Sequence, residues 1–163
     1  MSVQIVYPSE KYFSSFHEAL STVASERVYI EMIEAPPLEK VSGFQRDLIG
    51  KNGPVYYAID NDRVVGWCDV FPFNNPRQSH RGGLGMGLIP EYRGQGLGSK
   101  LLSSVIEHSK QFGLEKIELN VYTSNTSGIA LYKKFGFEQE GLIKKYRKLD
   151  GQYFDCLAMG KFL

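Results

Sequence analysis

The stretch LIPEYRGQGLGSKLL (Leu88–Leu102) sets glycine at 94, 96 and 98, directly behind an arginine and between an apolar run and a helix-like repeat. Such a pattern makes the chain leave a strand, turn with bare backbone and enter a helix. The first N–H groups of that helix have no intrahelical partner, and the dipole adds roughly half a positive charge at the same place. Glycines there remove the Cβ atoms that would hold a large anion off the amides, and Arg93 can add a charge-assisted contact. The loop therefore reads as a cradle for a phosphate-bearing ligand, and the rest of the chain has to supply a strand before it and a helix behind it.

The remaining pattern supplies both. VQIVY (Val3–Tyr7) alternates as a strand, and Pro8-Ser9 opens a helix with Tyr12, Phe13, Phe16, Ala19, Leu20 and Val23 on one face. Pro36-Pro37 interrupts, and a second helix is predicted from Leu38 to about Ile49. PVYYAIDNDRVVGWCDVFPF reads as a hairpin turning at Asn61-Asp62, and GLGMGLI as a further strand. A helix follows through Leu97, Leu101, Leu102, Val105, Ile106 and Phe112 to a stop at Gly113. EKIELNVYT alternates as a strand, a short helix runs from about Asn125 to Phe135, and two strands turn at Asp150-Gly151. The order is β-α-α-β-β-β-α-β-α-β-β, an α+β mixed sheet flanked by helices, with 163 residues forming a single domain over 1–163.

Composition excludes several classes. A net charge of +1 gives no electrostatic case for a nucleic-acid or anionic-membrane partner. The basic run KKYRK (Lys144–Lys148) reads as a solvated strand edge. No window approaches the run of about 18 apolar residues that spans a bilayer, and the start of the chain lacks signal-peptide character. Cys68 and Cys156 fall inside strand-like segments at no metal or CxxC spacing. They read as reduced, buried thiols of a cytoplasmic protein that holds no metal.

Three phosphate cradles compete for the loop. A P-loop fails because Gly98-Ser99-Lys100-Leu101 lacks the G-K-[ST] residues that serve nucleotide and Mg²⁺. A dinucleotide fingerprint fits only if Ser99 replaces its last glycine, with Glu118 about twenty residues on. Against it, the unit lies mid-chain and Pro90–Arg93 separates strand from turn. The third reading fits best: Arg93-x-x-Gly96-x-Gly98 resembles the Q/R-x-x-G-x-G/A signature of the GNAT superfamily of N-acetyltransferases. NTSGIALYKKFGFEQEG resembles that family's N-x-x-[AS]-x-x-[LV]-Y-x-x-x-G-F element, with Gly128 in the small-residue slot. The likeness runs from about Val3 to Met159, and GWCDV with GLGMGLIPEYRG is similar to the bacterial amino-acid and phosphinothricin-type acetyltransferases.

The resemblance implies a GNAT-like, mostly antiparallel sheet with a splayed parallel strand pair that binds acetyl-CoA as co-substrate. Backbone groups of Met86, Gly87 and Leu88 would pair with the acetyl and pantetheine arm. The amides of Gly94, Gln95, Gly96, Leu97, Gly98 and Ser99, with Arg93, would take the pyrophosphate. Asn125 matches the family's pantetheine-contacting asparagine and is also a candidate helix N-cap. Tyr132, two turns further on the same face, matches the acid that protonates the departing thiolate; phenol and thiol have ordinary pKa values of about 10 and 8.5. The glutamate that several members use as base is replaced by Asn120, which leaves Glu118, His80 or a water chain for that task. His17 and His108 read as ordinary surface histidines.

The acceptor is expected to meet the Tyr29–Leu38 loop and the last hairpin. Tyr29, Met32, Trp67, Phe71 and Tyr153 are candidate apolar walls, and Glu31, Glu34 and Asp155 candidate cation partners. The resemblance implies transfer of acetyl to a small-molecule amine such as an amino acid. A protein N-terminal amine or a non-catalytic acyl-CoA sensor stands as the alternative. Dimers are common in the superfamily, and by that analogy a homodimer with its contact at the terminal strands is expected.

Overall fold

The computed structural model describes residues 2–163. Its strands are β1 (Gln4–Val6), β2 (Val55–Asp60), β3 (Arg63–Pro72), β4 (Arg81–Leu88), β5 (Lys116–Tyr122), β6 (Glu138–Leu149) and β7 (Gln152–Phe162). The helices are α1 (Phe13–Ser25), α2 (Leu38–Gly50), α3 (Leu97–Phe112) and α4 (Thr126–Lys134), with single 3₁₀ turns at Glu10–Tyr12 and Pro90–Tyr92. The first of those turns replaces the start of the helix expected at Ser9, whose side chain makes no cap.

All seven strands form one sheet in the order β1-β2-β3-β4-β5-β7-β6. Neighbours are antiparallel except β4 and β5, and that pair sits at the centre. The β2–β3 hairpin turns at Asn61-Asp62 and the β6–β7 hairpin at Asp150-Gly151, all four residues at positive φ. The expected α+β class, element order and parallel central pair are those observed.

Side chains alternate across the sheet, so each strand feeds two helix layers. Tyr57 points to α1, where Phe16 stacks on it at 4.9 Å and meets Trp67 edge-on at 5.5 Å. Its neighbour Tyr56 points the other way and bonds His108 of α3 at 3.1 Å. Leu101, Leu102 and Val105 of α3 are fully buried beneath that face. His108 also bonds the Asn52 carbonyl, and His17 the Pro36 carbonyl, so both histidines tie helices to neighbouring loops. Cys68 and Cys156 are buried free thiols. Among the described residues no helix is long and apolar enough to cross a membrane.

One departure from regular pairing creates the site. The parallel strands β4 and β5 are paired only at Arg81↔Lys116, Gly82↔Ile117 and Gly83↔Glu118. Beyond Gly83, β4 stays on β3 through Leu88 while β5 stays on β7 through Tyr122. The sheet therefore opens into a V, and α3 and α4 start at its mouth.

Candidate active site

At the end of β4, Gly94 and Gly96 adopt left-handed backbone, φ 72° and 81°, which side-chain-bearing residues rarely take. Among the described residues other than immediate chain neighbours, none comes within 4 Å of where a Cβ would stand on either, so the turn faces open space. No side chain caps α3. The first-turn amides behind Gly96 are thus left for an anion, as the loop pattern required. Gly98 has a packing task beside the amide role expected of it. A Cβ there would lie 3.2 Å from Leu131 and 3.7 Å from Leu88 and Met86, so its smallness lets α3 sit against α4 and β4. Gln95 is exposed and donates back to the Glu91 carbonyl, and the Leu97 side chain is buried in the core.

Arg93 has a structural task beside the expected one. Its guanidinium forks onto Glu26 at the end of α1, at 2.8 and 2.5 Å, while Nε donates to the Leu88 carbonyl at 2.9 Å. Tyr29 stacks against it at 4.5 Å. The Glu26 hydrogen bond holds it above the ordinary arginine value. Three of its five N–H donors are engaged in this way, so Arg93 braces the glycine turn against α1 and the following loop while still lining the cleft beside Gly94 and Gly96.

A cleft of about 320 Å³ runs from Gly94, Gly96 and Ser99 past Leu88, Gly87 and Met86 to Asn125 and Tyr132. Asn125 is the N-cap of α4, its Oδ1 accepting from the Gly128 amide at 3.0 Å. A Cβ on residue 128 would stand 2.7 Å from the Asn125 amide nitrogen, which explains the glycine in that slot. Capping uses the carbonyl oxygen of Asn125, so its amide N–H groups remain available along the cleft.

Tyr132 lies seven residues on and lines both this cleft and the next. It is 8% exposed, packs edge-on against Phe137 at 5.8 Å, and its hydroxyl has no hydrogen-bond partner among the described residues. Burial holds the phenol well above its ordinary value. A neutral O–H is therefore present throughout the physiological range. A thiolate formed beside it would feel the same desolvation, so donor and acceptor shift together.

The second chamber, about 410 Å³, fills the V from Met86 across to Glu118, Asn120, Tyr122 and Tyr146. Neither candidate base is free within it. The Glu118 carboxylate is engaged by Arg81 and has Lys116 at 3.8 Å. His80 is exposed in the loop before β4, and its carbonyl accepts from Glu115 at the paired end of the V, away from Tyr132. Tyr146 is a wall that the sequence did not announce. An irregularity between Ile143 and Arg147 breaks the β6 register there, with Lys145 at φ 52°. Its hydroxyl donates to Glu31, and that bond pushes it up to about 12. The basic run around it is the edge of the sheet, as expected.

A third chamber, about 610 Å³, opens beside the second between α1, α2 and the sheet, sharing Gly83, Gly85 and Met86 with it. It holds Met32, Trp67 and Phe71 from the expected apolar set, while Tyr153 stays exposed on β7 and Asp155 accepts from the Lys145 amide. At its inner end stands Asp69, a residue sequence reading passed over. An acid inside the apolar strand VVGWCDV was the available signal. Met86 lines all three chambers, so they form one track. Among the described residues no group of three or more His, Cys, Asp or Glu could hold a metal ion.

A glycine turn on an uncapped helix, a V in the sheet beside it and a neutral tyrosine at its base define an acyl-CoA-using transferase. The chain belongs to the GNAT acetyltransferase family, whose pattern it matches over residues 15–137. It is 31% identical over 150 residues to the L-amino acid N-acetyltransferase AaaT of Escherichia coli, covering 89% of this chain and 91% of that one. A Bacillus subtilis protein named as a [ribosomal protein bS18]-alanine N-acetyltransferase is 32% identical over 117 residues, 71% of this chain and 74% of its own. The fold matches YncA of Salmonella typhimurium, solved with acetyl-CoA, at a TM-score of 0.93, 17% identity and coverage of 100% and 95%. As a member of the GNAT acetyltransferase family the chain takes acetyl-CoA as its co-substrate.

Proposed function

We propose that the protein transfers acetyl from acetyl-CoA to the primary amine of a small molecule, an amino acid or related metabolite. The continuous track through Met86 carries this reading, because it joins an anion cradle to an amine-sized chamber with Tyr132 between them. In this reading the glycine-turn amides hold the pyrophosphate, and the open side of β4 beside Met86 and Leu88 lies along the pantetheine arm. Asn125 offers its amide to the same arm. The amine attacks the thioester carbonyl directly, and Tyr132 gives its proton to the departing sulfur.

Likeness to the E. coli amino-acid enzyme over nine-tenths of both chains supports a small acceptor. The Bacillus relative favours a second reading, a protein N-terminal amine. A thiol-release assay with acetyl-CoA separates them, using amino acids, polyamines and peptides with free N-termini. CoA release with amino acids is the expected result. Release with peptides alone would replace the small-molecule reading, and no release with any amine would leave only a binding role.

A further inference from the structure

Asp69 sits on β3 with 5% of its surface exposed and no cation partner. Its Oδ2 accepts one hydrogen bond, from Gln45 Nε2 of α2 at 3.2 Å, and Gln45 in turn accepts from the Tyr57 hydroxyl at 2.5 Å. Oδ1 has no hydrogen-bond partner among the described residues. It is aimed across the sheet at Gly85 of β4, where a Cβ would stand 3.1 Å from it. Gly85 directly precedes Met86, the residue shared by every chamber. A buried carboxylate without a positive partner is costly, so a fold that keeps one calls for an explanation in function.

The surroundings of Asp69 hold no resident charge that could neutralise it. From α2 it faces Gln45, with Asp47 and Lys51 on the chamber lining and paired to each other at 3.0 Å. From β2 it faces the Tyr57 hydroxyl, which burial keeps protonated. From α1 only Phe16 and Leu20 line the chamber, and β4 offers glycine and Met86. Cys68, its neighbour on β3, is the other titratable group its charge reaches. Apart from Asn74, the remaining walls, among them Met32, Val41, Phe44 and Phe71, are apolar.

We infer that Asp69 is the acceptor-side base: Oδ1 receives the ammonium of the incoming amine and takes one proton from it, while the apolar walls select an amine with a hydrophobic or aromatic substituent. This rests on the acetyl-transfer reading above and names the base and acceptor class for it. The ammonium passes a proton to the carboxylate, giving a neutral amine and Asp69 as the acid. The nitrogen lone pair then forms the C–N bond to the thioester carbon. On collapse the C–S pair leaves on sulfur, which is protonated by Tyr132. The second nitrogen proton is lost and restores the tyrosine, and Asp69 returns its own to solvent. Burial pushes Asp69 up to about 7 against the opposing pull of the Gln45 bond, so near neutrality it can both accept and release a proton.

The test compares wild type with Asp69→Asn, measuring kcat/KM from about pH 5 to pH 9 and acetyl-CoA affinity by titration. The amines are L-leucine, L-phenylalanine and phenethylamine, with L-glutamate and spermidine as charged controls. Wild type should favour the apolar amines at least tenfold and show an acid limb near pH 7. Asp69→Asn should lose about a hundredfold or more in kcat/KM together with that limb, while acetyl-CoA binding is kept. CoA release by wild type with an unaltered variant profile would overturn the role of Asp69 alone. Preference for glutamate or spermidine would overturn the acceptor class. No release with any amine, acetyl-CoA still bound, would sink the acetyl-transfer reading itself. Should Asp69→Asn fail to fold, Gly85→Ala sets a methyl against Oδ1; a several-fold rise in amine KM at constant acetyl-CoA affinity supports the assignment, and unchanged KM counts against it.

Discussion

Along the donor half of the track the groups on offer are mostly main chain: the amides behind Gly96 and the open side of β4. Along the acceptor half they are side chains drawn from α1, α2, β3, β5 and β6. A backbone site constrains which residues are absent, and so it writes glycines into one short stretch. A side-chain site constrains which residues are present at points far apart in the chain. The two halves should accordingly respond to mutation in different ways. Donor-side changes should act through shape and leave pH dependence alone; acceptor-side changes should act through proton chemistry.

The largest effect tests the boundary between them. Tyr132→Phe removes one oxygen from a packed ring and should lower kcat by about a hundredfold with acetyl-CoA affinity nearly unchanged. Unchanged turnover would remove the hydroxyl from the reaction and leave Tyr132 as packing against Phe137. Next in size, Gly96→Val forces a β-branched residue into left-handed backbone, at a cost of about 1–2 kcal/mol, and covers the amides. Acetyl-CoA Kd should rise about tenfold or more, with the kcat profile against pH keeping its shape. A shifted profile would blur the division between the halves.

The third effect concerns stability. Folded Asp69 keeps its proton to about pH 7, whereas the unfolded chain releases it near the ordinary value of 3.8. The stability that comes with protonation is complete below about pH 4 and lost as pH rises through 7. Asp69→Asn does not titrate, so at pH 8 its Tm should exceed that of wild type by several degrees, and the two should converge near pH 4. A lower Tm at pH 8 would mean that the carboxylate holds the fold together. The smallest effect lies outside the track. Arg27 and Asp150 pair at 2.8 Å with side chains 41% and 76% exposed, and Asp150→Asn, which removes the charge but keeps a residue suited to the left-handed turn, should change stability by no more than about 0.5 kcal/mol in chemical denaturation.

The same division explains what could be read from the sequence. Element order, the hairpin at Asn61-Asp62 and the strand-to-helix glycine turn follow from local periodicity and turn chemistry. Asn125 and Tyr132 are singled out by the family resemblance, and helical spacing puts them on one face. The brace between Arg93 and Glu26 is not legible in sequence, because Glu26 lies 67 residues away and nothing local reveals that α1 ends beside the loop. Gly98 and Gly128 look like backbone devices in sequence, yet they answer to neighbours, Leu131 and the Asn125 side chain. Tyr146 reaches the track only through an irregularity inside a long strand. Asp69 shows in sequence only as an acid among valines. Its meaning depends on a helix 24 residues earlier and a strand 16 later.

The V in the sheet carries a mechanical consequence. Three residue pairs join the four strands on one side to the three on the other, so the middle of the molecule is a seam rather than a continuous ladder. A ligand arm laid along β4 beyond Gly83 would act as a stitch, supplying the pairing that β5 withholds. Amide exchange along Leu84–Leu88 would then slow with ligand, the thermal transition would rise with its concentration, and the stitch would come undone each time CoA departs.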